Sequence, residues 1–257
     1  MNIVAVIPAR MNSSRFPGKP LENILGMAMV GHCYKRAIMS KLLNDVYVAT
    51  CDKEIFDYII SIGGKAMMTL DSHEMACDRA AEAMLKIEKL KNKKIDILLM
   101  LQGDEPMVTP KSIDKVLQPL IDNSKIKIAN LYKEIKSISE FEDPNEVKVI
   151  MDQKSDAIYF SREPIPSRKK GHLNVPMYKQ ICSIPFRRDF LLKFSNMDRT
   201  PLEIIEGIDM NRILENGENI RMVYSDDESF SVDCPHDLER VIKVMKKDEL
   251  FEKYIVK

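Results

Sequence analysis

Four short apolar runs alternate with helical patterns over the N-terminal part of the chain, at residues 2–7, 45–50, 65–69 and 95–101. The first and last, NIVAVI and IDILLML, have no polar alternation, which marks strands buried on both faces. Between them lie three predicted helices. One covers residues 29–40, with Val30, Cys33, Ala37 and Ile38 near helical spacing. The second starts at Asp52 as N-cap and ends at Gly63-Gly64. The third is capped by Asp71 or Ser72 and runs to about residue 90. Strand and helix alternating at this spacing demand crossover connections. The pattern therefore predicts an α/β fold with a mainly parallel sheet between helices. In such a sheet the ligand crevice lies outside the carboxyl ends of the strands.

Two strand-end loops then carry the interest. The first, residues 8–20, holds three prolines and a glycine, so no helix passes through it. It holds Arg10, Arg15 and Lys19, two serines and Asn12, and no carboxylate. Such a loop is suited to an anion, above all a polyphosphate. A merely solvated basic loop is the plainer alternative. Neither G-x-x-x-x-G-K-[ST] nor G-x-G-x-x-G is present. The second loop reads Gln102-Gly103-Asp104-Glu105-Pro106. Its strand-end position favours Asp104 as a ligand for Mg²⁺ held against phosphate oxygens. Glu105 reads equally as a solvated carboxylate or the N-cap of a helix predicted over residues 110–120. Far downstream, Asp233 precedes Cys234-Pro235, where an N-cap and a functional carboxylate are equally good readings.

The rest of the chain is looser. Strands are expected at residues 126–132, 147–152, 157–160, 177–186 and 220–224. Helices are expected at 187–194, at 200–216 behind the Thr200-Pro201-x-Glu203 capping box, and at 235–246. Residues 1–257 read as one domain, with about 126–200 as an antiparallel elaboration. Lys+Arg and Asp+Glu both number 39, so no net charge argues for nucleic acid or a membrane surface. No apolar run is long enough to span a bilayer, and the chain runs straight into a strand with no leader pattern. Five scattered cysteines without C-x-x-C spacing, and four histidines without ligand spacing, fit reduced thiols in a cytoplasm and no histidine metal cluster.

The segments PARMNSSRFPGKPL (8–21), LQGDEP (101–106), DPNEVKVI (143–150) with AIYFSREPIP (157–166), and VDCPHDLERV (232–241) occur in this order. Together they resemble the 3-deoxy-manno-octulosonate (Kdo) cytidylyltransferases, the CMP-Kdo synthetases, over roughly residues 1–245. The resemblance implies a Rossmann-like three-layer α/β/α core and a smaller antiparallel dimerisation subdomain at about 126–200, which also forms the acceptor pocket. It also implies a homodimer, CTP as donor, an acid sugar as acceptor and Mg²⁺ as cofactor. By the same resemblance Arg10, Ser13, Arg15 and Lys19 hold the CTP phosphates, with Arg10, Arg15 and Lys19 supplying catalytic charge. His73, Asp78 and Arg79 pass near the nucleoside. Gln102 lies between nucleotide and sugar, Arg162 faces the sugar acid, and Asp104 and Asp233 bind the metal. The Asp233 tie falls to metal on this ground alone.

The chain departs from the family pattern around the acceptor. Gln180 stands for a histidine, Ile184 for a tyrosine, Asp209 for a glutamate and Met210 for a glutamine. Near the nucleoside, Met75-Ala76-Cys77 replaces Ser-Gly-Thr. Each lost hydrogen bond to a polyhydroxylated sugar is worth ~1 kcal/mol, enough together to alter substrate choice. Nucleotidyl transfer onto a different acid sugar, and a non-catalytic nucleotide-binding homologue, are the competing expectations.

Overall fold

A computed structural model describes residues 1–12, 16–171, 175–228 and 230–255. The chain forms two compact units, one of residues 1–114 with 227–257, the other of residues 115–226.

The first unit begins with β1 (Ile3–Pro8), whose six residues are all buried. After a one-turn 3-10 helix (Lys19–Leu21) comes a small hairpin of β2 (Asn23–Ile24) and β3 (Met27–Ala28). Next come α1 (Met29–Ala37), β4 (Asp45–Thr50), α2 (Lys53–Ser61), β5 (Ala66–Met68), α3 (Ala76–Lys91) and β6 (Ile97–Leu101). β1 pairs in parallel with both β4 and β6, and β4 pairs in parallel with β5. The order β6-β1-β4-β5 puts β1 between β6 and β4. Helices α1 and α3 pack against β1, and α2 against β4 and β5. The expected parallel α/β sheet is present.

Two helix bounds differ from expectation for local reasons. α1 stops at Ala37 rather than residue 40. The Ser40 hydroxyl donates to the Asp114 carboxylate (2.5 Å), which also takes the Lys41 and Leu42 amides and turns the chain away. α3 starts at Ala76, well after Asp71 and Ser72. The segment before it is wound round side chains of α3 itself. Glu82 accepts from the Leu70 amide, and Arg79 donates to the Leu70 and His73 carbonyls.

α4 (Pro110–Asp122) leads into the second unit. There follow β7 (Ala129–Glu134), α5 (Ile138–Glu142), β8 (Lys148–Met151), β9 (Ala157–Ser161), β10 (Tyr178–Ile181), β11 (Ser183–Arg187), α6 (Arg188–Ser195), α7 (Pro201–Glu206), α8 (Met210–Glu215) and β12 (Arg221–Tyr224). A five-stranded sheet runs β12-β7-β10-β8-β9. Its pairs are antiparallel except β12 with β7, which is parallel.

The strand expected over 177–186 is two strands, broken at Cys182. The helix expected over 200–216 is also two, because Gly207 takes a left-handed conformation (φ 64°) and ends α7. α5 was not foreseen; the Ser137 side chain caps it by accepting from the Glu140 amide at 3.2 Å. A bidentate pair lies buried here. Arg212 donates to Glu203 through Nε (2.7 Å) and Nη2 (2.5 Å). Burial alone would raise the Glu203 carboxyl, but Arg212 and the Thr200 amide hold it below its ordinary range.

The chain returns to the first unit for α9 (Pro235–Met245) and α10 (Glu249–Ile255), the latter unforeseen in the sequence. Tyr254 of α10 reaches the buried His32 of α1: Nδ1 lies 2.8 Å from the Tyr254 hydroxyl and Nε2 2.8 Å from the Ile24 carbonyl. No helix among the described residues is long and apolar enough to cross a membrane.

Candidate functional site

The site of the first unit is built at the carboxyl ends of β1 and β6. The basic loop after β1 is pinned at both ends. The Met11 amide donates to the Asp52 carboxylate (2.8 Å), and the Gly18 amide donates to the Met11 carbonyl (2.9 Å). Asp52 does sit at the N-cap of α2, but its side chain makes no cap bond and holds the loop instead. Gly18 has φ 76°, a left-handed geometry that a side chain would strain, and it starts the 3-10 turn that carries Lys19. Ser13 and Arg15 lie outside the described residues.

Lys19 is where three distant parts of the chain meet. Its Nζ donates to Asp104 Oδ2 at 2.6 Å, to the Val232 carbonyl at 3.0 Å and to Asp233 Oδ1 at 3.4 Å. The 104 and 232 segments are also tied by backbone, since the Val232 amide donates to the Asp104 carbonyl (2.9 Å). Val232 is anchored in an apolar cluster with Ile24, Met29, Met107, Val241 and Met245. Gly103 permits the close approach of the β6 loop to β1, because a Cβ there would stand 3.0 Å from the Pro8 carbonyl.

Asp233 does not cap the last helix. That helix is capped at Cys234, and Asp237 reaches back to accept from the Asp233 amide (3.0 Å) and the Cys234 amide (2.9 Å). Burial works to raise Asp237, but these bonds and the Cys234 thiol hold it below its ordinary range. Nor does Glu105 cap α4. The Ser112 amide donates to the Thr109 hydroxyl (3.0 Å), and Glu105 is buried.

Beside this cluster opens a cavity of about 280 Å³. The β1 end contributes Pro8, Ala9 and Arg10, and the β6 loop contributes Gln102, Gly103 and Asp104. Lys19 and Pro20 form a further edge, and the segment His73–Ala76 with Arg79 closes the remaining wall. Arg79 is a buried brace: Nη1 donates to Thr69 Oγ1 (2.6 Å) and the Leu70 carbonyl (3.1 Å), Nη2 to the His73 carbonyl (3.2 Å). His73 Nε2 lies 2.6 Å from Glu82 Oε2. Burial acts to raise Glu82, but Lys86, the Leu70 amide and His73 hold it below its ordinary range. Asp78 lies in the first turn of α3 and is not one of the wall residues described.

The structure thus gathers Arg10, Lys19, His73, Arg79, Gln102 and Asp104 round one cavity, with Asp233 bonded to Lys19. Sequence reasoning missed Glu82, Asp237 and the Val232 carbonyl. Only Asp237 left a signal, as the third residue of a capping box.

Of the expected acceptor residues, Gln102 belongs to the first unit and Arg162, Gln180, Ile184, Asp209 and Met210 to the second. Arg162 donates through its amide to Glu206 Oε2 (2.8 Å), through Nε to the Glu206 carbonyl (2.7 Å) and through Nη1 to the Pro144 carbonyl (2.8 Å). Gln180 Nε2 donates to Asn130 Oδ1 (2.5 Å). Asp209 sits at the N-cap of α8, and its carboxyl is pushed up to about 6 by burial, against the pull of Arg212. Ile184 and Met210 are buried side chains, 2% and 0% exposed.

A sequence model of the family described as "Cytidylyltransferase" matches residues 4–220. The chain is 39% identical over 260 residues to the 3-deoxy-manno-octulosonate cytidylyltransferase of Geobacter metallireducens, covering 97% of this chain and 100% of that one. To the protein of the same name from Geotalea uraniireducens it is 40% identical over 257 residues, covering 96% and 100%. Among solved structures, a CMP:2-keto-3-deoxy-manno-octonic acid synthetase complexed with CTP superposes with a TM-score of 0.89 at 37% identity, covering 96% of this chain and 99% of that one. A 4-diphosphocytidyl-2C-methyl-D-erythritol synthase from Anaerococcus prevotii, 12% identical with a TM-score of 0.61 over 95% and 98% of the two chains, shares the fold alone.

Proposed function

The chain belongs to the 3-deoxy-manno-octulosonate cytidylyltransferases, and on that footing we propose that it transfers CMP from CTP to Kdo or a closely related sugar acid. A sugar hydroxyl oxygen bonds to the α-phosphorus of CTP, the bond to the β-phosphate oxygen breaks, and pyrophosphate leaves while the hydroxyl proton is lost. The observation that carries this reading is the convergence of Lys19, Asp104 and Asp233 at the edge of a cavity lined by Arg10.

The donor set suits Mg²⁺. Two carboxylates and a backbone carbonyl, all hard oxygen donors, already face the Lys19 ammonium. Asp104 and Asp233 would hold the ion. When bound, it would supply positive charge to phosphate oxygens and favour ionisation of the attacking hydroxyl.

The chain's own groups do the rest. Charge grows on the leaving pyrophosphate, so fixed cations beside it lower the barrier. Lys19, Arg10 and Arg15 are proposed for that role, with Ser13 as a phosphate donor. Arg79 holds the 70–73 segment in place, so that His73 meets the nucleotide in a fixed position, and Gln102 is proposed to meet it from the loop after β6. Asp78 is proposed to act from the first turn of α3. In the second unit Arg162, Gln180 and Asp209 are proposed to meet the acceptor, with Arg162 opposite its carboxylate. A homodimer in the cytoplasm completes the proposal, and sedimentation of the purified chain tests the oligomeric part.

Asp104→Asn keeps the shape of the side chain and removes its charge. The variant should stay folded and lose pyrophosphate release from CTP; retained turnover would refute the metal role. The departures from the family pattern at Gln180, Ile184, Asp209 and Met210 favour a second reading, a different acid sugar as acceptor. Comparing kcat/KM over a panel of acid sugars decides between them.

A further inference from the structure

An ammonium ion and a divalent metal ion seek the same surroundings, oxygen donors carrying negative charge. The three oxygens round Lys19 Nζ, from Asp104, Val232 and Asp233, are such surroundings. All three N–H donors of an ammonium can be used there. From this geometry we infer that Lys19 is a resident counter-ion of the aspartate pair. It keeps a divalent cation out until a polyphosphate draws the ammonium away. The inference rests on the proposed metal role of Asp104 and Asp233, and goes beyond it by assigning an order of occupancy.

Three further observations support it. First, Lys19 is poorly placed to leave for solvent, since its side chain is only 13% exposed. Its start in the chain is fixed by the Gly18 turn, and its end by Val232, whose side chain is locked in the apolar cluster. Second, the charges fit one occupant at a time. A divalent cation added beside the ammonium would meet a like charge a few ångströms away. Third, Lys19 also borders the cavity beside Arg10. A polyphosphate lying there offers the ammonium new anionic oxygens, and vacates the aspartates as it does so. Metal and polyphosphate then bind with positive coupling, and linkage makes that coupling reciprocal.

The test is Mn²⁺ binding to the full chain, followed by calorimetry and by the spin-resonance signal of the free ion, without nucleotide and with CTP. The wild-type chain should bind Mn²⁺ weakly alone and more tightly with CTP. Lys19→Met and Lys19→Gln should each bind Mn²⁺ alone at least about tenfold more tightly than wild type, as expected when a like charge at contact range is removed. Asp104→Asn added to either variant should cancel that gain. Circular dichroism confirms that each variant is folded.

Two results overturn the inference and leave the metal reading standing. One is tight, Asp104-dependent Mn²⁺ binding by the wild-type chain with no nucleotide, which needs no variant to observe. The other is unchanged Mn²⁺ affinity in both Lys19 variants while CTP-supported binding still depends on Asp104. If Asp104→Asn leaves CTP-supported Mn²⁺ binding unchanged, the metal reading falls and the inference falls with it.

Discussion

His32 makes the stability of the first unit depend on pH in a way that can be worked from its surroundings. The ring is fully buried between α1 and α10. The Ile24 carbonyl can only accept, so Nε2 carries the proton and Nδ1 accepts from the Tyr254 hydroxyl. Burial, helped by the Arg36 charge and opposed by the bond to Ile24, lowers the pKa from 6.5 to about 4. Tyr254, pushed up to about 12 chiefly by burial, stays protonated as the donor.

The sign follows from linkage. Above about pH 6.5 the ring is neutral in both states and stability is at its full value. As pH falls, the unfolded chain takes up a proton that the folded chain refuses, and stability is lost down to the folded pKa. A gap from 6.5 to about 4 corresponds to roughly 3 kcal/mol in the limit, with about 2 kcal/mol already lost at pH 5. His32→Gln isolates this contribution, because an amide can donate to Ile24 and accept from Tyr254 without titrating. Urea unfolding at pH 7.5 and pH 5 should show the wild-type chain losing about 2 kcal/mol more than the variant. Equal losses in the two chains would refute the burial of a neutral histidine at this position.

Three other outcomes follow from particular contacts. Arg212→Leu removes the buried partner of Glu203, leaving it only the more distant Arg199 and the Thr200 amide, and should cost about 3–5 kcal/mol in chemical denaturation. Gly103→Ala places a Cβ 3.0 Å from the Pro8 carbonyl. It should cost about 1–3 kcal/mol and depress turnover by shifting Asp104; unchanged stability and activity would show that the loop gives way freely. Arg79→Met releases the Leu70 and His73 carbonyls. At about 1 kcal/mol per bond it should raise KM for CTP by about tenfold or more, with a smaller effect on KM for the acceptor; equal rises in both would point to general unfolding.

The parts of the fold legible in the sequence were those whose physics is local. β1 and β6 announce themselves because a strand covered on both faces has no polar alternation. The basic loop is legible because three prolines, a glycine and a cluster of cations within a few residues forbid regular structure. Breaks inside elements were harder. Gly207 was visible as a glycine, yet the helical pattern runs on past it and the capping box at Thr200 gives no length. Cys182 carries no turn signal at all. The start of α3 was misplaced because Glu82 and Arg79, several residues downstream, claim the backbone groups a helix would have used.

The site shows the same division. Lys19, Asp104 and Asp233 stand out one by one, each in a strand-end or helix-start setting. Their meeting does not, since 85 residues separate the first two and 214 the first and last. Strand-end topology already put the Lys19 loop and Asp104 at one crevice; only the family resemblance joined Asp233 to them. Ile184 and Met210 were drawn into the acceptor site by position in a motif, whereas their burial is a property of tertiary packing.

Incubating the chain with CTP, Kdo and Mg²⁺, and measuring pyrophosphate together with the mass of any CMP conjugate, addresses the proposed reaction most directly. One pyrophosphate should be released for each CMP–sugar formed, and neither product without the acceptor. A folded chain that binds CTP yet forms neither product with Kdo or any related acid sugar would contradict it.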